Sequence, residues 1–325
     1  MYSVSIIIPN FNGKSLLEKN LQHVIAAAKT YQSESSKKVE VIIVDDFSTD
    51  DSVDFLNNIA ADSSLPIHIV EKKKNEGFAA TVNDGVSHAK GEIVLLLNTD
   101  VVPEENFLQP LLTHFKDSKV FGVGCLDKSI EAGKVVERGR GIGTWDKGLL
   151  IHANGTDKKN TTLWLNGGSS AIRRSLWNKF GGFRTVYNPF YWEDIDLSYQ
   201  AQKSGYSVLF ERNSIVTHMH EEGVIRKKFK ESYITTIAYR NQLLFAWMNI
   251  TDADLLKEHL LYLPYHILSA LLREDFSFLS GLFRAVLLLF SARNFRKNSF
   301  SDSVKSDKDV TSIFVDEMKI PHEKQ

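Results

Sequence analysis

The chain has 325 residues, 43% hydrophobic and 24% charged, which excludes a disordered, collagen-like or fibrous protein. Its 39 basic and 40 acidic side chains give a formal net charge of -1, so no general basic field exists to hold nucleic acid. The single cysteine, Cys125, excludes an intrachain disulfide and a multi-cysteine zinc site, and fits a reducing compartment.

The first 125 residues alternate short apolar runs with longer amphipathic ones. This pattern is typical of an α/β fold with a mostly parallel sheet covered by helices on both faces. The predicted strands are Val4–Ile8, Val39–Val44, Ile67–Val70, Ile93–Leu97 and Val120–Val123, and the predicted helices span 14–31, 50–61, 78–89 and 104–117. Binding sites in such sheets lie beyond the carboxyl ends of the strands, so the residues after each strand are the first candidates.

Four of these strand ends carry polar residues. They read Pro9-Asn10-Phe11-Asn12-Gly13, Asp45-Asp46-Phe47-Ser48-Thr49-Asp50, Asn75-Glu76-Gly77-Phe78 and Asn98-Thr99-Asp100. Any one of them could be turn chemistry or helix capping, but four along one edge indicate a binding site. An acid such as Asp100 can hold a hard divalent cation, whereas Asp45 and Asp46 can accept hydrogen bonds from a base or ribose.

The familiar phosphate-binding motifs are missing. Gly13-Lys14-Ser15 has the ending of a P-loop, but Ile8 stands where that motif needs its first glycine. The sequence after the first strand lacks G-x-G-x-x-G, and no G-x-S-x-G occurs in the chain. An ATPase, an NAD-dependent dehydrogenase and a serine hydrolase are therefore disfavoured.

The second half is less regular. Residues 126–165 are rich in glycine, with extended pieces at Lys134–Glu137 and Thr162–Leu165, and a predicted strand within 166–174 leads into a helix. A further helix opens within Tyr191–Leu197, and two strands follow at Ser207–Phe210 and Ser214–Thr217. Residues from about 230 to 293 are predicted to be helical, and the polar segment 296–325 to be a disordered tail.

Six ordered motifs between residues 3 and 220 resemble glycosyltransferase family 2, with the WED motif of its bacterial rhamnosyltransferase-like branch. They are SIIIPNFNG, VEVIIVDDFSTDDS, NEGFAATVNDG, GEIVLLLNTDVVP, GGSSAIRRSLWNKFGGF and WEDIDLSYQAQKSGY. The resemblance implies a GT-A fold, a nucleotide-sugar donor (UDP-, dTDP- or GDP-sugar), a divalent cation (Mn²⁺ or Mg²⁺) and inversion at the anomeric carbon. It implies a catalytic domain over 1–225, with a nucleotide-sugar half to about 125 and an acceptor half beyond it.

The resemblance also implies roles for individual residues. Donor-binding residues would be Pro9, Asn10, Asn12, Asp45, Asp46, Asn75, Gly77, Phe78, Asn83, Asn98, Thr99 and Asp100. Asp194 corresponds to the catalytic base, and Asp100 with His218 to the metal ligands, His220 being the alternative histidine. Acceptor contacts would come from Gly168, Trp192, Glu193 and Asp196.

Two positions depart from the family pattern. Asn98 replaces the first acid of the D-x-D element, which leaves fewer charges for a metal but does not indicate inactivity. Arg184 follows Gly181-Gly182-Phe183 where an acid is more usual, and this leaves the acceptor preference open. The required chemistry is one base for the acceptor hydroxyl and one cation for the departing diphosphate, with no covalent nucleophile.

The carboxyl-terminal region 226–295 leaves two interpretations open. Its two apolar runs, Leu260–Leu272 and Phe278–Phe290, are each too short to span a bilayer and contain His266 and Arg284. They could pack on the catalytic domain as a helical hairpin, or lie in an anionic membrane interface. The basic run Arg226-Lys227-Lys228-Phe229-Lys230 could likewise be a solvated helix face or contact diphosphate or lipid headgroups.

The prediction is therefore a cytoplasmic hexosyl- or deoxyhexosyltransferase, peripheral on the inner face of the membrane, that serves cell-surface polysaccharide synthesis. Its acceptor would be a glycan or a lipid-linked sugar. The amino terminus fits this location because it carries neither a basic region nor an apolar run long enough for a signal peptide. The alternatives are a nucleotidyltransferase and a non-catalytic nucleotide-sugar-binding protein of the same fold.

Overall fold

The computed structural model describes residues 1–131, 134–218, 228–298 and 303–319. The strands are β1 Val4–Asn10, β2 Val39–Asp45, β3 Ile67–Glu71, β4 Ile93–Leu97, β5 Val101–Pro103, β6 Val120–Glu131, β7 Lys134–Arg138, β8 Gly141–Asp146, β9 Leu149–Asn154, β10 Ser169–Arg173 and β11 Ser207–His218. The helices are α1 Lys14–Ser35, α2 Ser52–Asp62, α3 Phe78–His88, α4 Leu108–Thr113, α5 Arg174–Phe180, α6 Glu193–Lys203, α7 Glu231–Asn249, α8 Ala253–Leu272, α9 Phe276–Leu287, α10 Leu289–Asn298, α11 Asp307–Thr311 and α12 Val315–Met318.

A nine-stranded mixed sheet forms the centre of the molecule. Its order is β3-β2-β1-β4-β10-β6-β11-β5, and β7 pairs with β6 outside this path. Strands β3, β2, β1 and β4 are parallel, as the sequence predicted, whereas β10 runs antiparallel to both β4 and β6. The parallel block brings the carboxyl ends of β1, β2 and β4 to one edge, and the site lies there.

Helices cover both faces of this sheet because its strands are apolar on both sides. Ile6, Ile8 and alternate residues of β2 pack with α1 and α4 in one core cluster. Ile7, Ile42 and Val44 face the other way and pack with α3, α5 and α6. Successive strand residues therefore enter opposite cores, which is the period-2 alternation of a pleated strand. The predicted α/β class, with a central sheet between helices and a helical carboxyl-terminal region, is confirmed.

The irregular second half contains a hairpin that the sequence analysis missed. Strands β8 and β9 pair antiparallel through a two-residue turn, Lys147-Gly148, in which both residues have positive φ (48° and 78°). A turn of this kind favours glycine and suits the twist of two paired strands. The piece Thr162–Leu165, expected to be extended, forms no strand, although Thr161 makes one isolated bridge to Leu209.

Two further expectations need correction. The strands predicted at Ser207–Phe210 and Ser214–Thr217 are one strand, β11, whose register with β6 shifts between Glu211 and Ile215. The segment expected to be a disordered tail is folded over the part that the structure describes. There, Asp307 in α11 is fully buried and lies 2.6 Å from the Lys203 ammonium group of α6.

Among the residues described, no single helix is both long and apolar enough to cross a membrane. One pair, Phe276–Leu287 and Leu289–Arg296, reaches that length and composition only when taken together, and it is bent by 62°.

Candidate active site

A cavity of about 480 Å³ opens at the carboxyl ends of β1, β2 and β4 and extends towards the first turn of α6. Both halves of the catalytic region contribute to its wall. The donor-side residues predicted from sequence that line it are Pro9, Asn10, Asp46, Asn75, Gly77, Phe78, Asn98, Thr99 and Asp100. On the opposite side it is lined by Gly167, Gly168, Glu193, Asp194 and His218.

The first two loops of this edge are held together by Asp45. This buried carboxylate accepts hydrogen bonds from the Asn10 side-chain amide (2.8 Å), the Ser48 backbone N–H (2.8 Å) and the Ser48 hydroxyl (2.6 Å). Asn12 lies at an exposed position, where its side-chain oxygen accepts from the Thr49 backbone N–H (2.7 Å). Neither Asp45 nor Asn12 lines the cavity. Their hydrogen bonds stabilise the two loops, and the structure does not place either side chain where it would contact a donor in the cavity.

Asp46, one residue on, faces the cavity itself. Its carboxylate accepts the backbone N–H groups of Glu76 (2.9 Å) and Gly77 (2.8 Å), and the Lys72 ammonium lies 3.5 Å away. Gly77 has φ +84°, a conformation that favours glycine, and a side chain there would also meet Asn188. Asp46 thus fixes the loop before α3 against the end of β2.

Asn83, predicted to bind donor, ties two elements together instead. Its side-chain amide donates to the Phe183 carbonyl (2.7 Å), and its side-chain oxygen accepts from the Phe183 N–H (2.9 Å). The Phe183 ring stacks on Phe78 at 6.0 Å between centroids. Because Phe78 lines the cavity and Asn83 does not, Asn83 supports the wall from behind.

A cluster of ionisable groups closes one corner of the cavity, which we call the metal corner: Asp100, His218 and Asp127. The His218 Nε2 atom lies 3.3 Å from Asp100, and its Nδ1 atom lies 3.0 Å from Asp127. Burial lowers the pKa of His218, but the hydrogen bonds to the two carboxylates outweigh burial and raise the pKa to about 9. The sequence analysis missed Asp127, which lies within the long strand β6 and is fully buried.

Two side chains of the metal corner, Asp100 and His218, could hold a divalent cation if the bound substrate supplied the remaining ligands. A metal-bound histidine commonly gives its other ring nitrogen to a carboxylate, which is the place that Asp127 occupies here. The buried Asn98 Oδ1 atom also has no hydrogen-bond partner among the residues that the structure describes. Within the described ranges, no group of three or more His, Cys, Asp or Glu side chains could hold a metal by itself. His220 lies outside the described residues.

The far wall approaches the donor side closely. A Cβ atom at Gly168 would lie 2.5 Å from the Asn98 side chain, so only glycine fits there. The neighbouring Gly167 N–H points at the Asp194 carboxylate at 3.3 Å. This contact joins the loop before β10 to the first turn of α6.

That turn, which we call the acid turn, comprises Glu193 and Asp194 and follows two strained residues. Tyr191 and Trp192 have φ +71° and +78°, and such conformations cluster at functional sites. The strain is held in place by Asn241 of α7, whose buried amide donates to the carbonyls of Tyr187, Phe190 and Tyr191 (2.8–2.9 Å). Asn241 is therefore a positioning residue, and sequence alone gave no sign of it.

Both acids of this turn have raised pKa values. Burial raises the pKa of Asp194 to about 6, against the opposing effect of hydrogen bonds from the Ile195 and Gly167 N–H groups. Burial, followed by repulsion from Asp194, raises the pKa of Glu193 well above its ordinary value. The Glu193 Oε2 atom is buried and, within the described part of the chain, has no hydrogen-bond partner. Groups with such pKa values can exchange protons near neutral pH.

Two of the predicted acceptor contacts are not in the cavity wall. Asp196 is fully buried and accepts hydrogen bonds from Arg184 (3.0 Å) and Tyr187 (2.9 Å), with Asn249 as a further partner. Trp192 packs against Phe245 in the core beneath α7. The prediction that these two residues contact an acceptor is thus not supported, and the unusual Arg184 is explained by its ion pair with Asp196.

Further residues line the cavity, and two of them belong to the basic run that the sequence analysis considered for contact with diphosphate. Trp164, Asn166 and Tyr191 line it, as do Lys228 and Phe229. The Lys228 ammonium lies 4.3 Å from the centre of the Phe11 ring, which also faces the cavity. Lys228 belongs to the basic run 226–230, whose first two residues lie outside the described part of the chain.

Comparison with known proteins points to one family. The family model described as "Glycosyl transferase family 2" matches residues 5–180, more than half of the chain. One relative, the "GalNAc(5)-diNAcBac-PP-undecaprenol beta-1,3-glucosyltransferase" of Campylobacter jejuni, is 32% identical over 100 residues. That match covers 31% of this chain and 30% of the relative, and the chain spans about a third of the length of the curated relatives it matches.

Two solved structures share the fold. GalNAc-T7, crystallised with UDP, GalNAc and Mn²⁺, has a TM-score of 0.61 at 19% identity, covering 78% of this chain and 49% of that one. The mannosyltransferase PcManGT of Pyrobaculum calidifontis, in complex with GDP-Man and Mn²⁺, has a TM-score of 0.55 at 17% identity, covering 97% and 84%. At these identities the likeness establishes the fold alone.

Proposed function

Because this chain belongs to glycosyltransferase family 2, we propose that it is an inverting, metal-dependent glycosyltransferase. It moves a hexose or deoxyhexose from a nucleoside-diphosphate sugar to a hydroxyl of a glycan or lipid-linked acceptor. The product belongs to the synthesis of a cell-surface polysaccharide. The enzyme works on the cytoplasmic side, at the inner face of the membrane.

One observation carries the proposal: a single cavity contains both the metal corner and the acid turn. The metal corner, built on Asp100 and His218, suits the diphosphate of a donor. The acid turn holds two carboxyl groups with raised pKa values and suits the proton of an acceptor hydroxyl. A glycosyl transfer needs both kinds of group: a base at the attacking acceptor hydroxyl and a cation at the departing diphosphate. The two lie on opposite sides of the anomeric carbon.

The chain's own residues account for a single displacement. Asp194, ionised, accepts the proton of the acceptor hydroxyl as its oxygen attacks the anomeric carbon. The bond from that carbon to the diphosphate oxygen breaks, and the nucleoside diphosphate leaves with the electron pair. The attack comes from the face opposite the leaving group, so the configuration inverts without a covalent enzyme intermediate. Burial raises the pKa of Asp194 to about 6, so its carboxylate has the proton affinity of a base that works near neutral pH.

Asp100 and His218 would hold the divalent cation, Mn²⁺ or Mg²⁺, which when bound neutralises charge developing on the departing diphosphate. Asp127 orients the His218 ring through Nδ1. On the base side, Asp46 and the loop it holds at Glu76 and Gly77 form the wall for the nucleoside. The carboxyl ends of β1 and β2 thus bind the donor, as expected for this sheet topology.

The identity of the donor and acceptor rests on the relatives. The structural neighbours carry UDP or GDP-mannose, which favours a UDP-, dTDP- or GDP-sugar as donor. The name of the C. jejuni relative includes an undecaprenol-linked substrate, which favours a lipid-linked acceptor. The exposed Tyr191 at the cavity and the half-buried Trp164 offer aromatic faces on which a sugar ring can stack.

A two-step experiment tests the proposal. Thermal-shift and calorimetric titrations with UDP-, dTDP- and GDP-sugars, each with and without Mn²⁺, should identify one nucleotide whose binding needs the metal. Transfer from that donor, radiolabelled, to polyprenyl-linked acceptors should then be followed, with the anomeric configuration of the product determined. Binding without any transfer would favour the non-catalytic alternative. Release of pyrophosphate from a nucleoside triphosphate would favour a nucleotidyltransferase.

A further inference from the structure

Three consecutive helices, α8, α9 and α10, each present large apolar side chains to solvent along one side. We call this surface the outer face. Its members recur at helical spacing, with Leu268 57%, Leu272 78% and Phe290 83% exposed. The exposed side chains are Leu260, Leu261, Tyr262, Tyr265, Leu268, Leu271, Leu272, Phe276, Phe283, Val286, Leu287, Leu289 and Phe290.

The opposite sides of α8 and α9 are fixed to the protein, so the outer face cannot turn inward. On α8, His259 and His266 hydrogen-bond the carbonyls of Gly148 (2.6 Å) and Lys147 (2.8 Å) in the β8–β9 turn. On α9, Gly281 approaches α7 so closely that a Cβ atom would lie 2.8 Å from the Thr236 carbonyl. The inner sides also pack apolar residues against the core, among them Leu255 and Leu263 of α8 and Leu282 of α9, whereas the side chains of the outer face stay exposed.

The charge of this region differs from that of the whole chain. Residues 260–298 contain five basic residues and two acidic ones, a net charge of +3, whereas the chain as a whole carries -1. Arg284 of α9 and Arg293 of α10 are exposed, as is Arg273 in the turn between α8 and α9. A surface that combines apolar side chains with arginines matches the interface of an anionic bilayer, where acyl chains lie beneath charged headgroups.

We propose that the outer face of α8, α9 and α10 docks the protein flat on an anionic membrane. Leucine and phenylalanine side chains enter the headgroup–acyl boundary, and the two tyrosines lie at its polar edge. The arginines meet lipid phosphates. A second copy of the chain is the poorer occupant, because it would bring the same net positive charge of residues 260–298 to the surface, whereas an anionic bilayer brings the opposite charge.

This inference does not depend on the transfer reaction, and its test involves no sugar. The full-length protein is floated with vesicles of phosphatidylcholine alone and of phosphatidylcholine with phosphatidylglycerol. It should float with the anionic vesicles and less with the neutral ones, and high salt should weaken the binding. The double variant L268E/F283E should lose at least about tenfold in vesicle partitioning. R273Q/R293Q should lose roughly fivefold or more, and only on anionic vesicles.

The matched control is V135E/I313E, which makes the same change at two exposed apolar residues away from the outer face. It should float like the natural chain. The inference is overturned if the natural chain does not float, or if L268E/F283E floats as well as the control. Sedimentation without lipid tests the alternative that a second copy of the chain covers the outer face. A natural chain that is a dimer, and an L268E/F283E variant that is a monomer, would support that alternative and overturn the inference.

Discussion

The metal corner and the acid turn hold similar groups in opposite electrostatic settings. In the metal corner the carboxylates Asp100 and Asp127 flank His218, and the hydrogen bonds to them raise the pKa of the imidazole to about 9. In the acid turn the buried Glu193 and the half-buried Asp194 lie side by side, and among the described residues Asp194 accepts hydrogen bonds from the backbone N–H groups of Gly167 and Ile195. One region is built to hold charge, and the other to exchange a proton.

The same contrast exists within a single helix turn. Asp194 and Asp196 are two residues apart in α6, yet Asp196 is ion-paired with Arg184 and hydrogen-bonded by Tyr187. Burial alone therefore does not make a carboxylate reactive, because a buried acid with a cationic partner stays ionised and structural. The comparison predicts that substitution of Asp194 mainly lowers the transfer rate, whereas substitution of Asp196 mainly lowers the free energy of unfolding.

The largest expected effect is on catalysis at Asp194. Asp194→Asn keeps the size of the side chain but cannot accept a proton, so transfer should slow by roughly 10²–10⁴-fold. Donor binding should stay close to normal, because Asp194 is placed on the acceptor side. Steady-state transfer rates, with Asp54→Asn as a control on the exposed face of α2, provide the measurement. Transfer near the natural rate would place the base elsewhere.

The next effect is on stability at Asp196. Asp196→Asn removes the partner of the buried Arg184 and should lower the free energy of unfolding by about 3 kcal/mol. Urea unfolding followed by circular dichroism measures this loss. Per folded molecule, the variant should retain most of its transfer activity. If it unfolds like the natural chain but loses transfer as severely as Asp194→Asn, the division between these two aspartates is wrong.

A smaller effect concerns pH. Asp194 has a folded pKa of about 6, raised from its ordinary 3.8 by burial. Its contribution to stability is therefore full below about pH 4 and is lost as the pH rises through 6. The Asp194→Asn variant has no carboxyl to ionise at this position, so it keeps the stability that the natural chain loses. At neutral pH its free energy of unfolding should be higher than that of the natural chain by about 1–3 kcal/mol. Urea unfolding on both sides of pH 6 checks this, and a less stable variant at neutral pH would contradict it.

Local patterns in the sequence predicted the first half of the fold well. Strand β4 has the predicted bounds, Ile93–Leu97, and the other parallel strands differ by at most two residues at their ends. Each is a short β-branched run between helices, so local composition decides its structure. Strand β6 was predicted only in part, because its continuation to Glu131 is polar and is stabilised by pairing with β7 and β11.

The missed features depend on partners far away in sequence. Asp307 in the segment expected to be disordered pairs with Lys203, 104 residues earlier, and no local pattern encodes that contact. Asp127 and Asn241 were missed for the same reason. Asp127 contacts His218, and Asn241 donates to the Tyr191 carbonyl, so both have partners distant in sequence. A signal did exist for the β8–β9 hairpin, since Asp146-Lys147-Gly148 between two extended runs is a turn sequence.

The division of labour between the metal corner and the acid turn is tested most directly by one calorimetric titration. Mn²⁺ with the selected nucleoside diphosphate is titrated into the natural chain, Asp194→Asn and Asp100→Ala. Asp194→Asn should bind as the natural chain does. Asp100→Ala should lose at least the roughly 10–100-fold in metal affinity that removing even an outer-shell partner costs. Equal loss in both variants, or none in Asp100→Ala, would contradict the account.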